Sequence, residues 1–145
     1  MKIWITVLAG VLGVVGAQSA QAGKKWEIDN NTCWDFKYKG VDKDHVKVDS
    51  YSETIAAGGT GEVHFQQSGS GSDDHNITFN YYVENYGSTE DDPSYIVKMH
   101  YADHSGFGGG GTECSVQAPS KITGSYTGCN NDSLWKYTFD SSSCN

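Results

Sequence analysis

The chain has 145 residues, with ten basic residues against eighteen acidic ones, a net charge of −8 and a pI near 4.9. Every basic residue is a lysine, and an acidic chain without arginine is poorly suited to gripping a phosphate backbone, so nucleic acid is not an expected partner. The length suits one small domain and its core rather than two.

Residues 1–22 carry the marks of a secretory signal: Lys2, an apolar run over 3–16, and Ala20-Gln21-Ala22 before Gly23. That run falls short of the roughly 20 residues needed to span a bilayer. The expected mature domain is therefore 23–145, secreted and extracellular, with no integral membrane segment. It holds all four cysteines, and an even number in a secreted chain points to two disulfides. Three pairings are open. The expected one joins Cys33 to Cys144, because the terminal strands of a sandwich are often neighbours, and Cys114 to Cys129, which closes a local loop. No Cys-x-x-Cys spacing supports a zinc ribbon or a redox site. Asn30, Asn76 and Asn131 each begin an N-x-Ser/Thr sequon and are glycosylation candidates, expected at the surface of a glycoprotein.

In chain order, residues 25–38 alternate, with Trp26, Ile28, Trp34, Phe36 and Tyr38 interleaved with charges around an Asp29-Asn30-Asn31 bulge or turn. Residues 40–44 are expected to be a polar turn, followed by a strand through Val46 and Val48. Next comes Thr54-Ile55-Ala56-Ala57-Gly58-Gly59-Thr60-Gly61, a glycine-rich turn leading into a strand with Val63 and Phe65 on one face. Residues 66–76 are too polar to pack and form a loop. Strands follow over 77–83 and 95–101, separated by an acidic loop. A glycine-rich stretch over 105–111 precedes short strands near 113–116, 121–127 and 135–139. No window outside the first 22 residues has helical periodicity. One-sided strands must bury their apolar faces against each other, so the expected fold is all-β: a single-domain β-sandwich of two antiparallel sheets with two disulfides.

Four segments carry a resemblance: Trp26-Glu27-Ile28-Asp29-Asn30-Asn31, Ser52-Glu53-Thr54-Ile55-Ala56-Ala57-Gly58-Gly59-Thr60-Gly61, Ile77-Thr78-Phe79-Asn80-Tyr81 and Met99-His100-Tyr101-Ala102-Asp103. Their order resembles the actinoporin and aegerolysin superfamily of small β-sandwiches. The resemblance implies recognition of lipid headgroups or glycans at a membrane surface, without catalysis. The signal and the two-disulfide framework depart from typical aegerolysins. No amphipathic helix follows the signal, so pore formation does not carry over.

Catalytic chemistry finds little support. His100 and His104 would share a helical face, but four residues along a strand are roughly 13 Å apart, too far for one ion. Glu62 and His64 flank Val63 and read as a solvated pair rather than an acid/base couple. Asp73-Asp74 and Glu90-Asp91-Asp92 do not fit a calcium loop and read as solvated acid. No Gly-x-Ser-x-Gly elbow is present. The chain also resembles guanyl-specific fungal ribonucleases in size, acidity and tyrosine content, but those enzymes rely on an arginine that it lacks. No cofactor is expected.

Aromatic residues are in surplus. Trp34, Phe36, Tyr81, Trp135 and Phe139 lie in alternating segments and are assigned to the core. Tyr86, Tyr95 and Phe107 lie in or beside loops, where aromatic rings stack on sugars or sit at the headgroup level; the alternative is that they fold back over the sandwich ends. They are the expected ligand-binding residues of a lectin-like or toxin-like protein recognising a membrane lipid or glycan surface. The alternative function is a secreted effector or inhibitor docking a protein receptor.

Overall fold

The computed structural model describes residues 23–69, 73–87, 94–104, 111–129 and 134–144. The signal over 1–22, Phe107, the acidic run 90–92 and Asn131 lie outside the described residues. Among the described residues ten strands are present: β1 Lys24–Asn31, β2 Phe36–Asp44, β3 Val46–Tyr51, β4 Thr54–Ile55, β5 Thr60–Gln67, β6 His75–Val83, β7 Ile96–Asp103, β8 Thr112–Gln117, β9 Ile122–Thr127 and β10 Leu134–Ser141. They form two five-stranded sheets packed face to face, ordered β3-β5-β1-β10-β9 and β4-β2-β6-β7-β8. The fold is thus the expected all-β sandwich with two disulfides. Among the described residues no helix is long and apolar enough to cross a membrane.

Period-two alternation explains the strands directly. In β6, Ile77, Phe79, Tyr81 and Val83 are buried while Asn76, Thr78, Asn80 and Tyr82 are only half-buried. At the centre, Trp26 meets Phe65 at 5.2 Å, Tyr137 at 5.0 Å and Trp135 at 5.8 Å between ring centroids. Burial of each large apolar side chain contributes about 2–3 kcal/mol. Three tyrosines fill the core without stranding their hydroxyls. Tyr137 donates to the His100 carbonyl at 2.7 Å, Tyr81 donates to the Ser52 carbonyl at 2.7 Å, and Tyr101 accepts from Gln67 Nε2 at 3.2 Å. The Tyr137 and Gln67 bonds cross from one sheet to the other, so they fix how the sheets stack.

Three local features differ from the sequence expectations. Residues 40–44 are not a turn but the second half of β2, whose burial pattern is irregular because it lies towards a sheet edge. The chain passes from one sheet to the other at His45 alone, at φ 48°. The glycine-rich stretch does not close a hairpin. β4 and β5 belong to different sheets, and the turn between them carries the chain across the sandwich, closed by Gly59 N–H donating to the Ala56 carbonyl at 2.8 Å. Gly58, at φ 71°, occupies the third turn position, where a type II turn needs positive φ. Finally, β1 and β10 pair in parallel, Trp26 opposite Trp135, while all other neighbours are antiparallel.

Both disulfides form as expected. Cys33–Cys144 spans 111 residues and Cys114–Cys129 spans 15. The second links β8 to the residues after β9, bridging the two sheets along one side of the sandwich.

Candidate functional site

One end of the sandwich gathers the β1–β2 turn, the ends of the β6–β7 connection and the β8–β9 turn. The first is organised by Asn30. Its side chain is 0% exposed and its Nδ2 donates to the carbonyls of Trp34 at 2.8 Å, Ile55 at 3.0 Å and Ala56 at 3.2 Å. Its Oδ1 accepts from Thr32 Oγ1 at 2.6 Å and Thr32 N–H at 3.2 Å. A buried carboxamide with every polar atom partnered is a rigid fastener. It corrects the expectation that the Asn30 sequon is a surface position: in the folded chain this nitrogen is enclosed and already bonded. Asn76 is half-buried within β6.

Held by Asn30 and by the neighbouring Cys33–Cys144 bridge, Trp34 is half-buried rather than in the core. Its ring lies 5.0 Å from that of Tyr86, which lies 4.7 Å from that of Tyr95. Asn85, at φ 56°, makes the left-handed step that asparagine tolerates and starts the turn into Tyr86. The Tyr86 hydroxyl accepts from Lys121 N–H at 2.7 Å and lies 3.3 Å from Ser120 Oγ, while Lys121 Nζ stands 5.9 Å from the ring centroid. Tyr95 lies over Gly87, where an added Cβ would meet the ring at 3.1 Å.

Two of the three expected ligand-binding aromatics, Tyr86 and Tyr95, are therefore side by side. The residues flanking the segment with Phe107, His104 and Gly111, stand at the opposite end of β7 from Tyr95. Trp34 completes the row although its sequence context assigned it to the core. The available signal was its place directly after the Asn-Asn-Thr-Cys turn, at the head of the alternating run Trp34, Phe36, Tyr38 rather than inside it. A row of three half-buried rings beside a lysine can stack on a sugar face or lie at a headgroup interface.

The histidines lie in separate places apart from His45 and His75, whose ring centroids are 6.3 Å apart. His100 Nδ1 lies 2.8 Å from Thr78 Oγ1 on the outer face of its sheet, while His104 sits at the strand end, 3.5 Å from Asp74 and 3.7 Å from Glu113. His45 lies 3.9 Å from Asp73. His64 bonds Glu62 at 2.9 Å, and Lys25 reaches the same carboxylate at 2.8 Å. The His64 bond, reinforced by Lys25, holds the Glu62 carboxyl below its usual range. All three groups are exposed to solvent to a substantial degree. Among the described residues no three histidine, cysteine or carboxylate side chains are arranged to hold a metal ion. Comparison with protein-family models and with curated proteins finds no match.

Proposed function

We infer that the protein is a secreted, non-enzymatic binding protein that recognises a surface ligand, a glycan or a lipid headgroup, through the aromatic end of the sandwich. The observation that carries this reading is the row Trp34–Tyr86–Tyr95, with rings 5.0 and 4.7 Å apart and only half-buried. Apolar rings left in water at the end of a disulfide-stapled frame cost free energy that binding recovers. Two disulfides suit an oxidising, extracellular setting. The resemblance to actinoporins and aegerolysins supports the same ligand classes.

A protein-docking effector or inhibitor stands second. It draws on the edge of β2, since β4 pairs only with Phe36 and Lys37. That edge carries Lys39, Asp42, Lys43 and Asp44 and a bulge between Tyr38 and Gly40, features that discourage strand addition.

The test is binding of the purified protein to a glycan array and to liposomes. A Trp34→Ala/Tyr95→Ala variant should lose binding while keeping its fold, with Phe107→Ala made separately to determine whether that ring belongs to the same surface. Tyr86 is best changed to Phe, since its ring supports both neighbours. Wild-type protein that binds neither surface but captures a defined protein would transfer the reading to the second class.

A further inference from the structure

Among the described residues the sandwich has four edge strands, β3 and β9 in one sheet and β4 and β8 in the other. Three of them are protected against pairing with another chain. β3 carries Lys47, Asp49 and a bulge between Val48 and Ser50, β4 is two residues long and leaves a charged stretch of β2 behind it, and β8 carries Glu113. Charges, bulges and short length are what keep an edge from adding a strand. β9 has none of these. Its residues Ile122-Thr123-Gly124-Ser125-Tyr126-Thr127 include no charge and no proline, and they pair with β10 in unbroken register.

Alternate residues of an antiparallel edge strand direct N–H and C=O away from their one neighbour. Among the described residues the backbone of β9 bonds only β10 and the Pro119 carbonyl, which accepts from Ile122 N–H at 2.9 Å. Exposed apolar surface gathers at the same place. Tyr126 is 42% exposed and Leu134 49%, and among the described residues these are the large apolar side chains left open to water. Both lie on this pair of strands.

Charge and register indicate what pairs there. Each chain carries a net charge of −8, yet a second copy brings to this edge a strand as neutral as the first, so no like charges meet along it. Side chains alternate with period two, so a pairing must keep matching faces together. With Ser125 on a twofold axis, Thr123 lies opposite Thr127 of the second copy on the outer face, and the two Ser125 side chains face each other. Hydroxyl pairs of this kind stabilise neighbouring strands. On the inner face, where Tyr126 already stands opposite the buried Tyr137, its ring comes opposite Gly124 of the second copy. Val116 lies there, its Cγ2 2.7 Å from where a Cβ on Gly124 would stand. This side chain is only partly buried, so the incoming ring covers apolar surface.

We propose that the protein forms a twofold dimer by antiparallel pairing of β9 with β9 of a second copy, which joins two five-stranded sheets into one. Lys121, bonded to Tyr86 at the aromatic end, directly precedes β9. Antiparallel pairing therefore points the two aromatic ends in opposite directions, with the two Lys121 residues roughly 27 Å apart along the strands at about 3.4 Å per residue. Such a dimer bridges two ligand-bearing surfaces. That consequence rests on the proposed aromatic site, whereas the association itself does not.

Sedimentation velocity over a concentration series, with no ligand present, tests the pairing. Wild type should pass from monomer to dimer as concentration rises, and more readily in salt, which screens the repulsion between two acidic chains. Amide exchange within 122–127 should slow in step with the dimer. Ser125→Lys, at an exposed position, sets two lysines face to face and should weaken association about tenfold or more. Ser125→Glu should do the same, and an equimolar mixture of the two variants should recover the dimer because unlike charges then meet. If Ser125→Lys fails to fold, Tyr126→Ala, which trims an exposed ring, should weaken association about tenfold. Protein that stays monomeric at millimolar concentration overturns the proposal and leaves this edge to a strand of another protein. A dimer undisturbed by a folded Ser125→Lys variant, or a mixture without recovery, overturns it as well. Trp34→Ala/Tyr95→Ala should dimerise as wild type does, so the dimer and the aromatic site fail separately.

Discussion

Asn30 Nδ2 donates to the Trp34 carbonyl at 2.8 Å, so a fully buried side chain positions the backbone of the outermost ring of the aromatic row. The same nitrogen reaches Ile55 and Ala56, which anchors β4 and the glycine-rich turn to β1. Asn30→Ala should lower stability in urea denaturation by about 3 kcal/mol, because it leaves buried carbonyls unpaired. Asn31→Ala, which removes an exposed bond to Asp140, should cost less than about 1 kcal/mol.

The two disulfides should differ in effect. In the chain-entropy treatment, closing a 15-residue loop stabilises by about 3 kcal/mol and a loop of roughly 100 residues by about 4.7 kcal/mol. Replacing Cys114 and Cys129 by serine should therefore be milder than replacing Cys33 and Cys144, judged by denaturation midpoints at constant slope. The second replacement should also broaden Trp34 fluorescence, since Cys33 adjoins that ring in the chain.

Alkaline pH should unfold the protein through its core tyrosines. Burial pushes the phenols of Tyr81, Tyr101 and Tyr137 well above the usual tyrosine range, and burial with the nearby Tyr51 raises Tyr38. The folded state keeps protons that the unfolded chain releases near pH 10. Stability is thus fully present below about pH 10 and declines as pH rises above it. Tyrosinate absorbance should rise in one cooperative step for these residues, coincident with loss of near-ultraviolet circular dichroism. A smooth titration of all nine tyrosines without unfolding would contradict this.

Two glycines should respond oppositely to alanine. Gly61→Ala drives a methyl group into Ile55 and should destabilise by about 1–3 kcal/mol. Gly40→Ala meets open space and should be neutral or stabilising by up to about 1 kcal/mol, because alanine gives up less chain entropy on folding. Thermal melts of the two variants check both.

Much of the sandwich is legible wherever one face is buried. β6 and β7 announce themselves because Ile77, Phe79 and Met99 alternate with polar neighbours, and this alternation follows from the pleat. Residues 40–44 do not, because beyond the two-residue pairing with β4 this half of β2 is open on one side and only Val41 packs against the core. The parallel pairing of β1 with β10 is equally silent, since alternation specifies a face but not a neighbour. At the candidate site, Tyr86 and Tyr95 stand out as aromatics in polar loops. Trp34 is obscured by its alternation with Phe36 and Tyr38, which reads as a buried strand face, and the burial of Asn30 by an Asp-Asn-Asn cluster that reads as a turn. What conceals Asn30 is that its role depends on carbonyls supplied by a segment 25 residues away.

The parallel ladder of β1 on β10 also bears on how the chain reaches its fold. β1 can pair early with β5, a nearer antiparallel neighbour, but its other edge stays open until β10 arrives from the far side of the sequence. Closing so long a loop is entropically costly and slow. During that interval Trp26 and Ile28 lack Trp135 and Tyr137 above them, and an unpaired edge is exposed to other chains. The Cys33–Cys144 bond joins the residues just beyond the ends of these two strands. Once formed, it makes the last association in assembly a local one, so an oxidising environment during folding should suppress aggregation as well as stabilise the finished protein.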